Sequence, residues 1–292
     1  MRLSESVDLF LSYIQDRSPN TLKNYRVDLR QFLDIVGDKN VSDVSKADIA
    51  KFRMVLQSKN NKSSTIARKL ASLNSPFHYL IDLEIVKTSP ITKSHRPKIS
   101  QRIPSSLSDE ELKRVLESIN DSTMKTAITL MVLTGFRSFE LLSVRRDSIV
   151  IYRDEKTFGV DTAIREDIVD EDIAFIKFKG KGDKEREVPI TGKPLVMLID
   201  YLKSHQFDIV FPISYHSFWR KIRELGNKAG VLLHPHKLRH TAATMALQAG
   251  TELRVIQELI GHTSPITTAR YAKVGQKQLL KATKVLAEKI NF

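Results

Sequence analysis

The side chains best suited to chemistry cluster toward the C-terminal end of the chain. They are His236, Arg239 and His240 in the run His236-Lys237-Leu238-Arg239-His240, then His262 after Gly261, then Tyr271. Imidazole and guanidinium groups hold the non-bridging oxygens of a phosphate, and a tyrosine hydroxyl can attack its phosphorus. Cleaving a phosphodiester with a side chain needs an in-line nucleophile, fixed cations around the equatorial oxygens, and an acid for the leaving oxygen. Further cations stand upstream: Arg137 after Thr134-Gly135-Phe136, with Glu140 three residues on, and Lys181 between Gly180 and Gly182. A helix would put His236 and Arg239 on one face. Each residue also has a plainer role open to it. Arg137 and Glu140 make a surface ion pair on this spacing, Lys181 is a turn lysine, and His240 is a core imidazole bonded to a carbonyl. Tyr271 is one of seven tyrosines.

The elements that must position these groups are mainly helical. Ser18-Pro19-Asn20-Thr21 has the form of a helix start, followed by Leu22, Tyr25, Leu29, Phe32 and Leu33 at helical spacing. A second start at Val44–Asp48 carries Ile49, Phe52 and Leu56 on one face. A third at Ser63-Ser64-Thr65 turns Ile66, Leu70, Leu73, Phe77 and Leu80 inward and Lys62, Arg68 and Lys69 outward. These helices make a small domain over residues 1–90. Residues 91–106 are rich in proline and basic side chains without periodicity, as in an extended linker. From 107 a second domain begins with a capping box, Ser108 with Glu111. An apolar helix over 124–134 then ends at Gly135. Strand character follows at 149–152, 173–178 and 186–190, with a turn over 180–184. The chain is helical again after Pro194. It finishes in an amphipathic helix over 276–290, with Leu279, Leu280, Thr283, Val285, Leu286 and Ile290 on its apolar positions. The fold class expected is mainly α: a helical N-terminal domain, then a mostly helical C-terminal domain with a small antiparallel sheet.

Bulk properties agree with a polyanion partner. The chain has 292 residues and a net charge of +13, which attracts nucleic acid at long range. The excess is shared, about +7 over residues 1–100 and about +6 over the rest. The N-terminal helices are therefore expected to clamp nucleic acid themselves. The absence of cysteine excludes disulfides, thiolate metal sites and thiol nucleophiles. The spacing His234-x-His236-x-x-x-His240 can suit zinc, but the adjacent Arg239 and the basic surroundings argue against it. No metal and no cofactor is expected. The first residues lack the apolar run of a secretory signal, and no apolar run reaches the ~20 residues of a membrane span. The expected location is the cytoplasm, with no membrane association.

The ordered set of motifs resembles the tyrosine recombinase family, its two-domain Xer-type members above all. The motifs are Leu-Thr-Gly-x-Arg-x-x-Glu-Leu around Arg137, Gly-Lys-Gly-x-Lys-x-Arg-x-Val-Pro around Lys181, His-x-Leu-Arg-His, and Gly-His-x-x-x-x-Thr-Thr-x-x-Tyr ending at Tyr271. The N-terminal Asn-Thr-Leu-Lys-Asn-Tyr run resembles the family's core-binding, SAM-like domain. The resemblance covers essentially the whole chain. It implies that Arg137, Arg239 and His262 bind the scissile phosphate and that His236 orients it and assists proton transfer. Lys181 would protonate the 5′-oxygen, and Tyr271 would attack to give a 3′-phosphotyrosine. Glu140 and His240 would support the site. The implied partners are a double-stranded DNA recombination site and further copies of the chain in a tetrameric synapse. The last helix would pack into a neighbouring protomer, and a second recombinase or a regulator would complete the assembly in some members. Resolution of chromosome or plasmid multimers is the role expected. A mobile-element integrase, a type IB topoisomerase and a non-catalytic DNA-binding protein are the rivals.

Two departures from the family pattern stand out. Phe139 occupies a position before Glu140 where the family has a small residue, which bears on local packing. The stretch 153–172 is an insertion of roughly 20 residues beyond hairpin norms. It is acidic, with Asp154, Glu155, Glu166, Asp167, Asp170, Glu171 and Asp172. Such a charge should avoid DNA, so the insertion is expected to be a solvent- or protomer-facing excursion.

Overall fold

The helical periodicity of the first hundred residues becomes four α-helices. They are α1 (Leu3–Tyr13), α2 (Pro19–Val36), α3 (Lys46–Ser58) and α4 (Ser63–Asp82). The structure is a computed structural model that describes residues 1–98, 106–169, 171–180, 185–261 and 276–289. The chain divides into two compact units, Met1–Arg102 and Ile103–Phe292.

In the first unit the expected helix starts are real caps. The Ser18 hydroxyl accepts from the Thr21 N–H at 3.3 Å, and Ser45 with Asp48 closes a capping box. Ile49, Phe52 and Leu56 are fully buried, with Phe32 set edge-to-face on Phe52 at 5.3 Å. One expectation is corrected. Lys69 does not face outward with Lys62. It is buried and reaches Asp28 of α2 at 2.8 Å, and Arg68 reaches the same carboxylate at 2.5 Å. Asp28 is itself fully buried, so it draws both cations in rather than remain an unpaired internal charge. Residues 93–95 form a 3-10 turn, whose Ser94 carbonyl accepts from Arg53 of α3 at 3.3 Å. The described start of the expected linker is thus held to the first unit.

The second unit opens with the expected capping box at Ser108 and Glu111. It runs through α5 (Asp109–Glu117), α6 (Ser122–Thr134) and α7 (Ser138–Leu142). Four strands follow: β1 (Ile149–Arg153), β2 (Lys156–Gly159), β3 (Ile173–Lys179) and β4 (Glu185–Thr191), with α8 (Val160–Glu166) between β2 and β3. They make one antiparallel sheet in the order β2-β1-β3-β4. The unit finishes with α9 (Lys193–Ser204), α10 (Tyr215–Lys228), α11 (Pro235–Gln248), α12 (Leu253–Ile260) and α13 (Gln276–Lys289). The core is built around α6, on which every residue from Thr126 to Thr134 is buried.

The acidic insertion keeps Asp154, Glu155, Glu166, Asp167 and Glu171 exposed, as expected, but it is anchored to the unit rather than projecting from it. It folds back as the edge strand β2 and the helix α8, which packs on α9 and β1. Val160 and Ala163 enter the core, with Phe158, Ile164 and Ile168 packed against it. Two of its acids are held by arginines of the same unit. Arg153 holds the fully buried Asp172 with two bonds of 2.6 Å, and Arg146 holds Asp161 at 2.6 Å. These bonds outweigh the cost of burial and keep the Asp172 carboxyl below the usual carboxylate range. Apolar residues interleaved with the charge decided the placement, because burying them offsets ordering the segment.

In this single chain α13 packs on its own β4, α6, α11 and α12, with Leu286 fully buried. Thr283 and Leu286, on the face expected to meet a neighbour, are here buried within the chain's own unit. No helix among the described residues is long and apolar enough to cross a membrane.

Candidate active site

Two helix ends meet where the site forms. α6 stops at Gly135 and α12 at Gly261, both left-handed with φ of 66° and 65°. A Cβ on Gly135 would lie 2.9 Å from the Ile260 side chain, so glycine lets the two ends approach. The last carbonyls of a helix lack intrahelical donors and carry the negative end of its dipole. Three guanidiniums supply the missing donors. Arg239 of α11 donates to the Gly135 and Ile260 carbonyls. Arg137 donates to the Gly261 carbonyl at 3.1 Å. Arg186 of β4 donates to the Leu259 carbonyl at 2.6 Å and to that of Glu258 at 3.4 Å.

Among the described residues, one carboxylate is shared by all three cations. Glu140 has no exposed surface. It accepts from Arg137 Nη1 at 2.6 Å and lies 3.5 Å from Arg186 Nη1 and 3.9 Å from Arg239 Nη1. Its second oxygen accepts from the Arg137 backbone N–H at 2.8 Å, which caps α7 and fixes the first arginine at its start. The pair is therefore a buried hub, not a surface ion pair. Phe139, the departure from the family pattern, is 45% exposed while its neighbours Ser138 and Glu140 are buried. The large ring costs no internal packing.

α11 begins with His234, whose Nδ1 accepts from the Lys237 N–H at 3.0 Å, and Pro235 follows at the first turn. Burial, then the charge of His236, lowers the proton affinity of the His234 ring and keeps Nδ1 an acceptor. His236 and Arg239 ride on this helix with different surroundings: His236 is exposed and Arg239 only 4% exposed. Burial and the neighbouring Arg137 push the Arg239 guanidinium down to about 9, so it stays cationic at neutral pH. His240 is half-buried, and burial followed by His236 and Arg239 lowers it too, which favours a neutral imidazole. Thr241 ties α11 to the start of the unit, its hydroxyl accepting from the Leu107 N–H at 2.9 Å.

The structure therefore brings Arg137, Glu140 and Arg239 together and sets His236 and His240 on the helix that carries Arg239. Lys181, His262 and Tyr271 lie outside the described residues. β3 and β4 pair as far as Lys179 against Glu185, and the turn expected over 180–184 lies, past Gly180, outside the described residues. His262 follows Gly261 directly in the sequence. Arg186 was overlooked as a site residue. The available signal was an arginine in the same motif as Lys181, on a strand where an ordinary arginine would face solvent. Trp219 is half-buried, with Arg223 over its ring at 5.3 Å.

A set of three guanidiniums around one buried carboxylate has a net charge of +2 and suits an anion with oxygens to offer. Comparison with known proteins gives the site its setting. Residues 105–278 match the phage integrase family, and residues 7–83 match the phage integrase N-terminal SAM-like domain. The chain belongs to the phage integrase family. A protein named tyrosine recombinase from Pseudothermotoga lettingae is 30% identical over 98% of this chain and 99% of its own length. Another of that name from Thermosipho africanus is 29% identical over 95% and 96%. A tyrosine recombinase XerD from Listeria monocytogenes is 27% identical over 95% and 96%. Among solved structures, a lambda integrase dimer bound to a core site has the same fold at a TM-score of 0.68, with 17% identity over 94% of this chain and 99% of that one. The XerH recombinase bound to its difH substrate has a TM-score of 0.64, with 18% identity over 97% and 81%. The family and fold expected from the motifs are thus shown.

Proposed function

We propose that this chain is a site-specific DNA recombinase that cuts and rejoins strands through a covalent link to Tyr271. The observation that carries the reading is the buried hub of Arg137, Arg186 and Arg239 on Glu140, with an excess of two positive charges. In this reading Arg137, Arg239 and His262 hold the scissile phosphate, with Glu140 and His240 holding the arginines and the helix in place. The Tyr271 oxygen attacks phosphorus, a 3′-phosphotyrosine bond forms, and the bond to the 5′-oxygen breaks. Lys181 gives that oxygen its proton, and His236 orients the phosphate and assists proton transfer. The 5′-hydroxyl of another strand then attacks the phosphotyrosine and regenerates the phenol. Bond energy is conserved in the adduct, so no nucleotide cofactor is consumed.

The proposed division of labour is a helical DNA clamp at 1–90, a basic linker at 91–106 and the catalytic domain at 107–292. The relatives named XerC and XerD, matched over nearly the whole chain, support resolution of chromosome or plasmid multimers in the cytoplasm. Lambda integrase as a dimer on a core site and as a tetramer on a Holliday junction supports action as a tetramer on two duplexes. Exchange of α13 between protomers would then replace the cis packing of the single chain.

The test is a nicked suicide duplex that loses a short fragment on cleavage and traps the protein on its 3′-phosphate. Purified protein is expected to form this adduct, and sequencing the captured DNA reports the target. Tyr271→Phe should form none while binding the duplex with unchanged affinity. An adduct that survives Tyr271→Phe, or one on a 5′-phosphate, would overturn the assignment. Relaxed circles without exchanged strands would mark a topoisomerase instead.

A further inference from the structure

We infer that Arg186 is a positioning residue of the strand-cleavage site: it locks the end of α12 to β4 and supplies the third guanidinium around Glu140. The inference rests on the reading under Proposed function and names a residue outside its assigned set.

Arg186 is only 17% exposed, with its guanidinium 5.1 Å from the centre of the Phe178 ring. One of its terminal nitrogens is committed to the Leu259 and Glu258 carbonyls. The other, Nη1, is buried 3.5 Å from Glu140 and has no hydrogen-bond partner among the described residues. A fold built only for stability gains little from such a group. Burial and the adjacent Arg137 both work against its charge. A third cation beside a single shared carboxylate makes sense when an anion arrives. A phosphodiester carries one negative charge, and its pentacoordinate transition state carries two, spread over equatorial oxygens. The excess of the hub matches the second better than the first.

The positioning half of the argument comes from Gly261. A Cβ there would clash with Arg186 Cζ, so the guanidinium lies directly over the glycine. Arg186 thereby fixes how the chain leaves α12, one residue before His262. In the other direction it stands five residues after Lys181 in the sequence. One side chain therefore joins the strand that follows Lys181 to the helix end that precedes His262. Both groups are assigned to the same phosphate.

The experiment uses the full-length protein and a nicked duplex of the captured sequence, with the scissile group as phosphodiester or as methylphosphonate. Arg186→Met should bind the duplex within about threefold of wild type and form adduct on the phosphodiester at least 100-fold more slowly, roughly the scale of losing one transition-state donor. On the methylphosphonate, whose reacting group carries one less negative charge, the defect should shrink at least tenfold. A merely structural role would not respond to substrate charge. Gly261→Ala should slow the wild-type protein more than it slows Arg186→Met, where the clash with the guanidinium is gone and only the cost of a left-handed alanine remains. Arg186→Lys keeps a cation that fits and should fall between the two, which covers the case in which Arg186→Met unfolds. Adduct formation by Arg186→Met within threefold of wild type, or an equal defect on both substrates, would overturn the inference while leaving the recombinase reading intact. Failure of the wild-type protein to form any adduct would bring down that reading and this one with it.

Discussion

Replacing Glu140 with glutamine should separate what the carboxylate does for the fold from what it does for the site. Glutamine keeps the shape and one oxygen, so the N–H of Arg137 can remain capped. It removes the negative charge that lies within 3.9 Å of all three guanidiniums. At an effective dielectric constant near 20, contacts of this length are worth about 4 to 6 kcal/mol each before solvation. Dehydrating the carboxylate offsets most of that gain. Removing one partner of a buried ion pair nevertheless costs about 3–5 kcal/mol, because the cations remain buried and uncompensated. For a unit of this size that corresponds to a fall of roughly 10 °C in melting temperature. The second half of the prediction concerns anions. The hub rises from +2 to +3, so inorganic sulfate should bind the variant more tightly and stabilise it more. Saturation to 100 times the dissociation constant returns about 2.7 kcal/mol. The assay is thermal unfolding of wild type and Glu140→Gln across a sulfate titration, with potassium chloride at matched ionic strength as control. A melting temperature within about 2 °C of wild type would refute the buried-hub reasoning. So would equal sulfate stabilisation in the two proteins.

Other consequences follow from single contacts. Gly135→Ala forces an unfavourable left-handed alanine against Ile260. It should cost about 2 kcal/mol by chemical denaturation, and adduct formation should drop at least tenfold because Arg137 is two residues away. Asp28→Asn leaves Lys69 buried without its counter-ion and should destabilise the first unit by about 3 kcal/mol; circular dichroism during urea unfolding would detect this, and a change below about 1 kcal/mol would contradict it. Asp28, Asp48, Asp121 and Asp172 all have lowered proton affinity in the folded chain. Their stabilisation is complete above the unfolded carboxylate value of about 4 and is lost as pH falls through the lower folded values, so an acid titration of the melting temperature should decline steeply only below about pH 4. His234 is also lowered in the folded chain, so its cap should weaken as pH falls below about 6.5, and His234→Ala should cost about 1 kcal/mol at neutral pH while flattening that part of the profile.

The legible parts of the chain were those whose signals are local. Ser18, Ser45 and Ser108 announce helix starts because a hydroxyl three residues from an N–H acts within one turn. Gly135 announces a helix end because a left-handed residue is needed there. Strands 149–152, 173–178 and 186–190 were recognisable from their β-branched and aromatic content, within a residue or two of β1, β3 and β4. β2 and α8 were missed because the charge of the insertion dominated its reading, although Val160, Ala163, Ile164 and Ile168 stand at helical spacing. Lys69 was misplaced because a helix face says which way a side chain leaves, not which carboxylate waits in a neighbouring helix.

The sequence by itself determined the chemistry on offer: which residues can hold a phosphate, their order along the chain, and the family that order belongs to. Side-chain type and near-neighbour spacing suffice for that. Only the tertiary structure decided that Arg137, Arg186 and Arg239, drawn from a helix start, a strand and another helix, share one buried carboxylate. It also decided that two glycine-terminated helices meet end to end to receive them. Some of those contacts join positions more than a hundred residues apart, as Arg137 and Gly261 do. They exist because burying the apolar faces of α6, α11 and α12 brings the helix ends together, and the unsatisfied carbonyls there then select which cations stay.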